Sequence, residues 1–136
     1  MLWLTLILLL VGTTCDLRRR EIPDAVPFAL VVVAIVAKGF GWADQSWISL
    51  FAGGALGLAI GTVLFWLGGF GGGDVKVLAS VGAVIGVPAI GSVLFYTAIA
   101  GGGLALIAMM RGTEDVPYVP AITAGFIVSW ITRGTL

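Results

Sequence analysis

The 136 residues carry seven basic and seven acidic side chains for a formal net charge of zero, and 60% of them are hydrophobic against 10% charged. Average soluble chains are about a quarter charged, so at a mean hydropathy of +1.15 this chain has more apolar surface than a water-soluble domain of its length can hide. Zero net charge and the lack of a long basic stretch argue against a nucleic-acid partner. A single cysteine, Cys15, and no histidine leave neither an internal disulfide nor a multi-cysteine zinc site.

The charges are clustered, leaving uncharged runs at 1–15, 45–73, 77–110 and 116–132 and a shorter one at 25–37. A bilayer core takes about 20 apolar residues as a helix, with roughly 17 as the lower limit. The pattern predicts an all-α polytopic membrane protein of six helices, roughly 2–16, 24–38, 47–67, 74–86, 89–110 and 118–133, in one domain covering 1–136. The first run lacks a basic n-region and an A-x-A-like cleavage site and passes straight into Asp16-Leu17-Arg18-Arg19-Arg20, so it reads as a helix rather than a signal peptide. In the third helix Gly53, Gly57 and Gly61 recur four apart, a face of small residues that lets a neighbouring helix approach closely. The stretch from Val77 to Met110 is too long for one ordinary span at about 1.5 Å per residue. Gly86-Val87-Pro88 near its middle supplies a turn, giving two shorter helices. Such short segments are tolerated where backbone packs on protein or lines a wet cavity.

Orientation follows from the loops. With the N-terminus outside, Arg18, Arg19, Arg20, Lys76 and Arg111 fall on the inner side and Lys38 and Arg133 on the outer, as the positive-inside rule asks. Trp42, Trp47 and Trp130 fall near predicted helix ends, where interfacial aromatics gather.

Acidic side chains beside hydrocarbon are expensive, so each needs a reason. Asp16 closes the first apolar run and Asp74 opens the fourth helix. Helix parity alone places both at the inner face. Gly71, Gly72 and Gly73 remove every Cβ from the approach to Asp74, permitting positive φ and close contact with another chain. A phosphate-binding reading of these glycines lacks the G-K-[ST] ending and puts a carboxylate where the anion would go. A purely structural role is open: a glycine hinge with Asp74 as N-cap. Two aspartates held together in a low dielectric cannot both ionise cheaply, so one keeps its proton and the pair holds an acid and a base at the same pH. Such a pair can activate water against a peptide carbonyl without metal or cofactor.

The string GGGDVK resembles the GxGD class of intramembrane aspartic peptidases, and within it the type IV prepilin peptidases. The motif's glycines fall on Gly71 and Gly73 and its catalytic aspartate on Asp74, with a lysine, Lys76, two residues on. DLRRREIP matches the family's D-x(6)-P segment through Asp16 and Pro23. The resemblance implies no separate methyltransferase or zinc-binding region here, as in the short branch serving tight-adherence (Flp-type) pili, and VPYVPAITAG, residues 116–125, looks like that branch's last helix start. Asp24 departs from the Asn often found after Ile-Pro and adds a third carboxylate, read as the N-cap of helix two. Lys76 reads as a headgroup anchor rather than a partner of Asp74, and Glu114 and Asp115 as a solvated loop. Tyr118 is either site lining or an interfacial anchor.

What the resemblance implies is cleavage of prepilin or prepseudopilin leaders after a Gly, at the cytoplasmic face of a bacterial inner membrane. The expected partners are the leader with its hydrophobic helix and the bilayer, with no cofactor. Two rivals remain at this level: an archaeal-type preflagellin peptidase, and a non-enzymatic membrane subunit or transporter whose aspartates cap helices or carry protons.

Overall fold

The computed structural model describes residues 2–19, 24–67, 71–112 and 118–133. They form six α-helices: α1 Leu2–Arg19, α2 Ala25–Gly39, α3 Trp47–Trp66, α4 Gly72–Ile85, α5 Val87–Met110 and α6 Val119–Thr132. Among the described residues every regular element is helical.

Helix α4 is the hub. Val77, Leu78, Val81 and Val84 are each at most 1% exposed, and Leu9, Leu30, Ile122 and Phe126 from α1, α2 and α6 complete the core around them. The most extensive contact is α3 on α4, followed by α5 on α6. Its basis is the glycine face predicted for helix three. A Cβ at Gly57 would lie 2.6 Å from the Leu78 carbonyl oxygen, one at Gly61 3.2 Å from Val75 Cα, and one at Gly53 would collide with the Gly82 carbonyl. The pairs run in opposite directions along the two helices, so α3 and α4 are antiparallel.

Two helices, α3 and α5, are long and apolar enough to cross a membrane by length and composition. Only 22% and 17% of their most apolar windows are buried, whereas the core helix of a water-soluble protein is mostly enclosed. Phe51, Leu58, Val63, Phe95, Ile99 and Leu106 all face outward. An exposed apolar surface of this extent is unfavourable in water and consistent with a membrane protein.

Several boundaries differ from expectation. Helix α1 continues past Asp16 to Arg19, because Leu and Arg are good helix formers and no Gly or Pro intervenes before Pro23. The break between α4 and α5 is one residue, Gly86, at φ 76° and ψ 177°. Pro88 is inside the first turn of α5, where its missing N–H costs nothing. The segment before α3 secures this break. Gln45 Nε2 donates to the carbonyls of Ala83 and Val84 at 3.0 and 2.9 Å, and the Val87 N–H donates to Ser49 Oγ at 3.1 Å, leaving no room for a side chain at Gly86. Trp42 is well exposed, but Trp130 is only 7% exposed and packs edge-on against Trp3 with ring centroids 5.0 Å apart. It is a core aromatic, not an interfacial one.

Candidate active site

Helix directions decide which side chains can meet. Thr13 and Thr123 share a hydroxyl hydrogen bond of 2.9 Å and Trp3 meets Trp130, so α1 and α6 are antiparallel. Added Cβ atoms at Gly101 and Gly125 would meet Tyr118 and Thr97, so α5 and α6 are antiparallel too. The C-terminal end of α1 therefore lies with the N-terminal ends of α4 and α6 at one end of the bundle.

There Asp16, in the last turn of α1, and Asp74, in the first turn of α4, are 6% and 7% exposed. Both are held in the same manner. Asp16 Oδ2 accepts the backbone N–H of Val119, the first residue of α6, at 3.3 Å. Asp74 Oδ2 accepts the N–H of Gly71, immediately before α4, at 3.0 Å. Each carboxylate thus sits at a helix N-terminus, where unpaired N–H groups and the helix dipole favour negative charge. Both carboxylates thus stand, enclosed, at the same end of the bundle.

Asp74 is not the N-cap residue. Gly71 occupies that position, and Asp74 reaches back to it from the third helical residue. A capping hydrogen bond and a place at the same end of the bundle as Asp16 therefore coexist in one side chain. The glycine triad likewise works otherwise than expected: Gly71 has φ −83° and ψ 167°, and Gly72 and Gly73 are already helical, so no left-handed turn is involved. What the glycines provide is bare space, since a Cβ at Gly72 would meet nothing within 4 Å. With Asp74 itself accepting the Gly71 N–H, the anion position of a phosphate loop is filled by the protein's own carboxylate.

Asp24 and Lys76 stand at this same end; Asp24 occupies the N-cap position of α2, as predicted, but not through its side chain. Asp24 has helical φ and ψ and makes no side-chain cap bond. Its Oδ1 instead accepts from Lys76 Nζ at 2.9 Å. Tyr118 is half-buried, its ring over Gly101 of α5 and its C-terminal neighbour supplying the N–H to Asp16. Pro23, Arg20, Glu114 and Asp115 lie outside the described residues. The participant missed in the sequence is the Val119 N–H. Pro120, in the first turn of α6, marks where that helix's free donors begin, and was the available signal.

A family model described as the type IV leader peptidase family matches residues 3–106, a span that includes both aspartates. The chain is 28% identical over 130 residues to the prepilin leader peptidase/N-methyltransferase of Bacillus subtilis (strain 168), covering 91% of this chain and 52% of that protein. It is 28% identical over 132 residues to the proteins of the same name from Burkholderia pseudomallei strains 1026b and K96243, covering 86% of this chain and 41% of each. It therefore spans about half or less of the length of these curated relatives. No solved structure matches.

Proposed function

The chain belongs to the type IV leader peptidase family, and from that premise we propose that it is a membrane-embedded aspartic endopeptidase that removes leader peptides from prepilins or prepseudopilins. The observation that carries this reading is the pair of enclosed carboxylates, Asp16 and Asp74, at one end of the bundle, each fixed through Oδ2 by a backbone N–H. A six-span arrangement with the N-terminus outside puts that end at the cytoplasmic face of a bacterial inner membrane, where water reaches the pair. The 116–125 string favours a tight-adherence pilin as substrate.

The chemistry needs one ionised and one protonated carboxyl. The ionised member takes a proton from water as its oxygen attacks the scissile carbonyl carbon. The protonated member gives its proton to the departing amine as the C–N bond breaks, and the products are a new carboxyl end on the leader and a new amino end on the mature pilin. The open space at Gly72 admits an extended substrate backbone near Asp74. Tyr118 and the α6 N-terminus close the opposite side through Asp16.

Asp16→Asn and Asp74→Asn, each co-expressed with a prepilin encoded in the same genome, test the reading by leader removal on a gel. Both folded variants are expected to leave the leader in place. Continued processing by both removes the catalytic assignment and returns the aspartates to a capping or proton-carrying role.

A further inference from the structure

At the site end the Lys76–Asp24 ion pair joins α4 to the start of α2. Asp24 precedes α2 without a side-chain capping bond. Lys76 lies early in α4, where a cation is disfavoured by the helix dipole. Residues two apart on a helix point roughly 200° away from each other, so Lys76 cannot serve Asp74 and reaches sideways to Asp24, 52 residues away in sequence. The two side chains remain 57% and 82% exposed, and an ion pair so exposed contributes little to folding. The body of α4 is already fixed by the glycine face of α3 and by its own buried valines.

The first turn of α4 is a different case. Its first two residues, Gly72 and Gly73, offer no side chains to pack, and nothing lies near the vacant Cβ position of Gly72. Val75, which closes this turn, is buried against Gly61 of α3; the Asp74–Gly71 hydrogen bond is local to the turn, and the Lys76–Asp24 pair ties the start of α4 to α2. The α2 start is in turn joined by a short connection to the end of α1 that bears Asp16.

We infer that Asp24 and Lys76 are a positioning pair that ties the glycine-rich start of α4 to the start of α2, and so sets the approach of Asp74 to Asp16. This rests on the reading of those two aspartates as the catalytic pair. Misplacing a reacting group by about 1 Å costs on the order of a hundredfold in rate, so a pair worth little to folding is still worth much to turnover.

The test uses the full chain in lipid nanodiscs and a purified prepilin from the same genome. Lys76→Met and Asp24→Asn are each expected to lower kcat by roughly tenfold with KM and melting temperature little changed. The exchanged variant, Asp24→Lys with Lys76→Asp, is expected to recover most of that loss. Unchanged kcat in the single variants, a change confined to KM, or no recovery on exchange overturns the proposal. A second readout needs no turnover. Spin labels at Arg18→Cys and Gly72→Cys, exposed sites near the two aspartates, in a Cys15→Ser background report the α1–α4 distance distribution, which is expected to broaden in Lys76→Met and narrow again on exchange. A distribution that Lys76→Met leaves unchanged refutes the positioning role whatever the activity. Cleavage by the Asp16→Asn and Asp74→Asn enzymes refutes the catalytic reading alone, and the label distances still decide the pair.

Discussion

Each site aspartate is short, and its reach matters as much as its charge. Asp74 can accept the Gly71 N–H because one methylene separates its carboxyl from the helix. Asp74→Glu keeps charge, acidity and burial but moves the carboxyl outward by one carbon. Leader cleavage is expected to fall on the order of a hundredfold while the protein stays folded, as measured by initial rates on purified prepilin. Wild-type rates in this variant would mean that carboxyl position is not what the first turn controls. Asp74→Asn, by contrast, keeps an oxygen acceptor for the Gly71 N–H and nearly the same side-chain volume, and is expected to melt within a few degrees of wild type. These two carboxylates were legible in the sequence because a charge at the edge of an apolar run has few innocent explanations. The Val119 donor and the Asp24–Lys76 pair were not, because both depend on the rotation and lateral placement of helices, which spacing along one chain does not specify.

At the level of elements, the α3–α4 contact is where sequence and packing agree most closely. Three glycines four residues apart predicted a close approach, and the helices meet so tightly that backbone touches backbone. Gly57→Ala is therefore expected to push the helices apart and destabilise the fold by about 1–3 kcal/mol, the usual range for overpacking, seen as a lower melting temperature in detergent. Gly103 of α5 has nothing within 4 Å of its Cβ position, and Gly103→Ala is expected to be neutral or to stabilise by up to about 1 kcal/mol. A similar loss in both would show that glycine flexibility, not the seam, governs stability. Helix number and order were readable from charge spacing together with the Gly86-Val87-Pro88 break in the long run after Lys76. The ends were less so: α4 starts two residues early because Gly72 and Gly73 join the helix that Asp74 caps from within, and the α4–α5 turn shrinks to Gly86 because Gln45 and Ser49, from a distant segment, satisfy the groups that a longer turn would have left bare.

For the whole molecule, the arrangement of helix ends makes an orientation testable. The site end gathers Arg18, Lys76 and Arg111 near the ends of α1, α4 and α5, while Lys38 and Arg133 lie at the ends of α2 and α6 that point the other way. Lys and Arg are retained on the cytoplasmic side, so the aspartate end is expected inside. Asp44, in the α2–α3 connection, and Gly112, after α5, are both exposed and lie at opposite ends. In a Cys15→Ser background, Asp44→Cys is expected to react with a membrane-impermeant maleimide in intact spheroplasts. Gly112→Cys is expected to react only after permeabilisation. The reverse pattern would place the carboxylate pair on the outer face, away from any leader that remains in the cytoplasm, and the peptidase would then need a substrate whose cleavage site has already crossed.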